Sequence, residues 1–272
     1  STERWTRLKA KQVLGGRDPQ QVIGALKKWL EGEAGKQEKN LLEAVMLMEW
    51  MNIPDEKLLL SLLASSDYRG RAYAARVAGR WGMRLKNAHD ILAVAATDSH
   101  PRVRMEAVLA CAEIPEARSI LIAASVAEGS RDRWIDYAFS QAVHHLKSRW
   151  MPAFRRGELD FGDRGKGLAA VLEQADSKAL LADVRKLLAS GEVDGDGRKK
   201  LARALVTAGG DDDIRFLLQG KSLQPDVIRA LAARERPDFD VTGLLREAMK
   251  SEVPAVRLAI MELVGGWRVE QF

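Results

Sequence analysis

Asp98-Ser99-His100-Pro101-Arg102-Val103-Arg104-Met105-Glu106-Ala107-Val108 is the stretch whose reading decides the fold. Small polar residues stand at a cap, a proline opens the first turn, and an apolar run follows, which is how a helix begins. The lettering returns from Asp67 to Val77 and from Ser251 to Met261, where Pro254-Ala255-Val256-Arg257 echoes Pro101-Arg102-Val103-Arg104. A helix start repeated along one chain predicts repeated packing units.

Outward from this stretch, helical spacing of apolar residues runs through nearly the whole chain, and the period-two alternation of strands is missing. Helices are predicted from Pro19 to Glu31, Leu41 to Met51, Pro54 to Leu63, Asp67 to Trp81, Ala88 to Ala96, Pro101 to Ala112, Pro115 to Ala127 and Asp132 to about Lys147. Seven more follow between Leu168 and Val264. Short links make neighbours antiparallel. Arg71 and Arg102 take equivalent places, a spacing of 31, which is the period of a stacked helical solenoid. The helix after Pro101 is apolar on most of its circumference, with Val103, Ala107, Ala110 and Ile114 on one stripe and Met105, Val108, Leu109 and Ala112 on another. Such a helix is covered by neighbours on several sides. Arg104 points about 200° away from Arg102 and needs an anionic partner there, for which Asp98 or its counterpart in a neighbouring repeat is the candidate.

Helix pairs with Asp and then Arg six residues on around the second helix resemble HEAT repeats, an all-α superhelix of the HEAT/armadillo kind. The resemblance implies an Asp–Arg ladder between repeats. Asp98 and Arg104 fit both positions, whereas Asp67 is followed by Tyr73, and Ser251 by Arg257. Further landmarks are Lys11-Gln12-Val13-Leu14, Leu41-Leu42-Glu43-Ala44, Asp132 to Ala138 and Trp150 to Gly157. In this order they resemble the HEAT segment of large multidomain proteins of planctomycete and verrucomicrobial bacteria. The resemblance implies a dehydrogenase-like β-propeller upstream, a c-type haem domain downstream and an exported or periplasmic location. Ser1 in place of an initiator methionine, and a last helix with its apolar face uncovered, are read as marks of a segment of a longer chain. The organisation expected is one continuous solenoid: repeats over 1–149, an interrupting loop or bend over 150–167 rich in glycine, and repeats over 168–272.

The 272 residues carry a net charge of +5, concentrated between Arg69 and Arg156, where 15 Lys and Arg face 8 Asp and Glu. A basic middle admits an anionic partner. One cysteine, Cys111, excludes internal disulfides and cysteine-based metal sites, and its apolar helical setting reads as a buried, inert thiol. The longest clean apolar run, Ile120 to Ala127, is too short to span a bilayer.

The candidate chemical motifs reduce to structure. Adjacent His144 and His145 diverge by about 100° on a helix and cannot share a metal. Gly162-Asp163-Arg164-Gly165-Lys166-Gly167 lacks the spacing of a phosphate loop, and Asp194-Gly195-Asp196-Gly197 lacks the third calcium ligand. Asp211-Asp212-Asp213 reads as a helix cap. No cofactor or metal is expected. Trp134 and Trp150, beside Arg131, Arg133, Arg149, Arg155 and Arg156, form the candidate surface for a partner or an anion. The reading is therefore a non-catalytic scaffold, interaction or spacer module whose partners are protein domains. One alternative is nucleic-acid binding over residues 69–156, in the manner of HEAT-like alkylpurine DNA glycosylases, although no residue matches their catalytic acid. Another is a carbohydrate-binding surface.

Overall fold

The computed structural model describes residues 3–161, 165–175, 178–191, 195–220, 223–270 and 272. Among these the fold is all-α, with seventeen α-helices, three short 3₁₀ turns and no strand. The chain divides into two compact units, Ser1–Leu146 and Lys147–Phe272.

The first unit contains α1 (Arg4–Gly15), α2 (Pro19–Glu31), α3 (Glu38–Trp50), α4 (Glu56–Leu63), α5 (Tyr68–Trp81), α6 (Ala88–Ala96), α7 (Pro101–Glu113), α8 (Ser119–Ala124) and α9 (Arg133–His145). From α2 to α9 each helix packs on its sequence neighbour; the odd-numbered helices α1, α3, α5, α7 and α9 pack in succession as one layer, and among the even-numbered helices α6 packs on α8 in the other. The odd layer packs most closely between α5 and α7. Ala74, Ala75 and Ala78 on α5 and Ala107 and Ala110 on α7 are almost wholly buried, and a Cβ on Gly79 would lie 2.7 Å from Ala110 Cα. Small residues let the two backbones meet. Val45, Leu59, Leu62, Val77, Leu92, Val103, Val108, Ile120, Ile135 and Phe139 are fully buried. At ~25 cal/mol per Å² of apolar surface this continuous core is the main favourable term, because no pair covers itself.

Helix starts follow local chemistry. Asp18, Asp55, Asp67 and Asp132 each accept a hydrogen bond from an amide of the turn that follows, and His100 Nδ1 accepts one from the Arg102 amide at 3.1 Å. Pro101 and Pro254 stand in first turns, where a missing N–H costs nothing. α1 lies outside the helices read from the sequence, and none of its residues is buried.

The second unit contains α10 (Lys147–Arg155), α11 (Gly165–Gln174), α12 (Lys178–Ser190), α13 (Gly195–Ala208), α14 (Asp211–Gln219), α15 (Pro225–Ala232), α16 (Thr242–Ala248) and α17 (Pro254–Gly266). It repeats the two-layer pattern, with α11, α13, α15 and α17 in one layer and α12, α14 and α16 in the other. Val171, Val184, Leu205, Ile228, Leu231, Leu245, Ile260 and Leu263 fill its core.

The stretch expected as a loop from 150 differs in the structure. Residues 150–155 are helical despite Pro152, because Trp150, Ala153 and Phe154 are buried and hold the turn. The chain then turns at Gly157, whose φ of +69° favours glycine and whose Cβ position is only 2.5 Å from Gly197 Cα. Leu159 and Phe161 are buried, and Phe161 meets Phe154 edge to face at 6.3 Å. Gly162, Asp163, Arg164 and Asp194, from the two glycine-rich motifs, lie outside the described residues.

Candidate interaction surfaces

The ladder of the first unit is built on a register that the lettering hides. Arg71, four residues beyond the Asp67 cap, donates Nη1 to the carbonyls of Ser65 (3.0 Å) and Ser66 (2.9 Å). Its Nε and Nη2 grip both oxygens of Asp98 at 2.7 and 3.0 Å. Arg104, four residues beyond the His100 cap, donates Nη1 to the carbonyls of Asp98 (2.8 Å) and Ser99 (3.0 Å), and Nη2 to the carbonyl of Ser130 (3.0 Å). Arg257 repeats the first part, donating Nη1 to the Ser251 carbonyl at 2.8 Å. The equivalent arginines are thus Arg71, Arg104 and Arg257, so the first two repeats are 33 positions apart, from 71 to 104, and Arg102 is not the counterpart of Arg71.

The pairing expected between the Asp98 and Arg104 side chains is replaced by another. The Asp98 carboxylate belongs to Arg71 of the preceding repeat and also accepts from the His100 amide at 2.8 Å. Burial pushes its carboxyl up, but the Arg71 guanidinium and the His100 amide outweigh this and hold it below the ordinary range. Ser130 stands where the next repeat would need the aspartate, so Arg104 reaches only a carbonyl and its buried Nε has no partner. Asp67 is a cap rather than a ladder acid. In α9 the arginine position is Asp136, paired with Arg131 at 3.2 Å, and the arginine row stops.

Further rungs tie helix starts and faces together. Glu38 accepts from the Ser66 amide (2.6 Å) and hydroxyl (3.0 Å), which with the Ser65 hydroxyl and the Asp67 amide lowers its carboxyl to about 2. Glu56 accepts from the Asn87 side chain (2.7 Å) and from the Lys86 amide (2.8 Å), and is lowered too. On the odd layer, buried Glu106 takes Arg76 at 2.6 Å and Arg102 at 2.7 Å, while Glu49 pairs with Tyr73 and Arg80. His100 does a second task that the sequence reading missed: its ring stacks on Tyr68, centroids 3.6 Å apart, joining the starts of α5 and α7.

The candidate partner surface divides. On α9, Trp134 is 57 % exposed and Tyr137, one turn on, is 64 % exposed, with the Arg133 guanidinium 4.5 Å from the Trp134 ring. Tyr137 was legible as Trp134 plus three, the spacing of one helix face. Arg131 leans over Phe139 as well as pairing with Asp136. In the second unit Trp150 is fully buried, Arg149 is exposed, Arg155 pairs with Asp183 at 2.7 Å, and Arg156 pairs with Glu158 at 2.5 Å. Trp150 therefore packs the core and offers no stacking face.

Reactive groups sit in structural roles. Burial pushes the Cys111 thiol up to about 12, far from a thiolate at neutral pH. His89 is held down by burial and lies 3.0 Å from the Ser119 hydroxyl. Asp213 reaches back to the Gly210 amide at 3.0 Å, the capping role expected of it, and also pairs with Arg185 at 2.7 Å. Among the described residues no three His, Cys, Asp or Glu side chains are grouped to hold a metal, and no helix is long and apolar enough to cross a membrane.

Residues 56–143, which run from α4 into α9, match the family model of HEAT repeats, and the two-layer fold is HEAT-like throughout both units. No curated protein matches the chain.

Proposed function

We propose that this chain is a non-catalytic interaction module, a HEAT-like scaffold that docks protein domains, as a spacer or platform within a larger protein. The observation that carries this reading is the exposed Trp134–Tyr137 pair with Arg133 on α9. Trp, Tyr and Arg are the residues on which protein interfaces concentrate their binding energy. They stand on the odd layer, whose other charged side chains are largely taken up in rungs such as Arg76–Glu106 and Arg80–Glu49. What supports the scaffold over the nucleic-acid reading is the same pairing. Arg155 and Arg156 face carboxylates, and Trp150 is buried, so the basic middle offers fewer open cations than its composition suggests.

A photo-crosslinking residue at Tyr137, introduced in the native host, tests the reading. Discrete protein adducts that disappear with Trp134→Ala are expected. In parallel, duplex DNA should bind no tighter than ~10⁻⁴ M at 0.15 M salt, the weak end of non-specific binding. Tighter DNA binding with a steep salt slope, and no protein adduct, would overturn the proposal in favour of the nucleic-acid alternative.

A further inference from the structure

At the start of the chain α1, α2 and α3 enclose a groove of about 620 Å³, within the size range of small-molecule sites. Its walls are aliphatic and aromatic: Leu14, Val22, Ala25, Leu26, Trp29 and Leu47. Val22 and Leu47 are buried in the floor, whereas Trp29 is 46 % exposed and Ala25 lies open, so apolar surface is left facing the space. The charged lining residues are three cations, Arg7, Lys11 and Lys39, and one carboxylate, Glu43. Arg7 Nε reaches Glu43 at 2.8 Å, and Lys11 pairs with the other Glu43 oxygen. The Lys11 side chain is only 12 % exposed, and its ammonium has one further neighbour, the Met46 thioether at 3.8 Å, a weak acceptor. A shielded ammonium with a donor to spare therefore stands at one side of an open apolar trough.

We propose that this groove binds an amphiphilic carboxylate, a fatty-acid-like monoanion whose chain lies against Leu26 and Trp29 and whose head is held by Lys11. A second carboxylate there lowers the excess of cations in the lining, and a charge-assisted hydrogen bond at a poorly solvated ammonium is stronger than a neutral one. A flexible alkyl chain suits the stretch walled by Leu14, Val22, Ala25, Leu26, Trp29 and Leu47, while Gln37 and Asn40 are the uncharged polar residues of the lining. The groove shares no residue with the α9 surface, so this site and the interaction reading stand or fall separately.

The test uses the full chain and sodium octanoate, decanoate and dodecanoate, below their micelle concentrations, with calorimetry as the readout. Each added methylene should tighten binding about fourfold, the transfer value of one buried CH₂. Dodecan-1-ol should bind about tenfold or more weakly than dodecanoate, from the lost charge-assisted bond. Lys11→Met should erase that difference between acid and alcohol, and Lys11→Arg should restore most of it. Ala25→Phe, at an exposed position that leaves the core intact, should block both ligands while the circular-dichroism spectrum stays unchanged. Affinity independent of chain length, equal binding of acid and alcohol, or unaltered binding by Ala25→Phe would each overturn the proposal. So would capture of an acidic amphipathic peptide by a groove that takes none of the carboxylates.

Discussion

The α5–α7 and α7–α9 junctions use the same arginine at the same place in a helix, yet only the first is closed by a carboxylate. Arg71 and Arg104 each gather two carbonyls from the loop before their own helix. Arg71 then finds Asp98, whereas Arg104 finds the backbone of Ser130 and leaves Nε unmatched. The difference shows that the arginine has two separable tasks. It ties the loop to its own helix at Arg71, Arg104 and Arg257, and in the first unit it bridges to the next repeat with a strength set by one residue, two places before the next cap.

The largest change should come from breaking the complete junction. Arg71→Ala leaves Asp98, only 12 % exposed, without its partner and should cost about 3 kcal/mol in urea unfolding, the low end for a broken buried pair. Gly79→Val attacks the same junction sterically, since even a Cβ lies 2.7 Å from Ala110 Cα, and should cost about 2 kcal/mol. Arg104→Ala at the incomplete junction should cost about 1 kcal/mol in the same measurement, because it strands carbonyls but no carboxylate. A loss equal to that of Arg71→Ala would erase the distinction. Ser130→Asp supplies the missing carboxylate at an exposed site and should raise stability by about 0.5 kcal/mol, a gain that disappears in an Arg104→Ala background.

The smallest effect at neutral pH concerns Glu38, which closes the α3–α5 junction. Its carboxyl is about 2 when folded and near 4.5 when unfolded, so its contribution is present above pH 4.5 and fades as pH falls towards 2. Thermal melts of Glu38→Gln and the parent should converge across that window. Curves that stay parallel would show that Glu38 does not hold the Ser66 loop.

How much of this was legible follows from what each signal depends on. Helix pairs and the core came from periodicity, which packing rewards directly, so Val103, Ala107 and Ala110 lie where their spacing put them. The lettering places the ladder register two residues out, because Asp67 and Asp98 share a letter but not a backbone position. One caps a helix and the other stands two places before a cap, filled by His100. Cap identity depends on φ and ψ and on which amide points back, and a histidine does the work of an aspartate there. Helix α1 escaped because no residue of it is buried, and α10 because Pro152 looked like a stop. On the candidate surface, Trp134 and Trp150 have similar sequence neighbours, and tertiary packing alone decided that one is exposed and the other is core.

The rungs also span little sequence. Arg71 to Asp98 is 27 residues, Arg76 to Glu106 is 30 and Arg104 to Ser130 is 26, so no junction waits for distant chain to arrive. The first unit can thus assemble from any interior pair outward and come apart the same way, one repeat at a time. Under a pulling force its resistance would be a series of steps rather than one event, and the Arg71–Asp98 step would be higher than the one at Ser130.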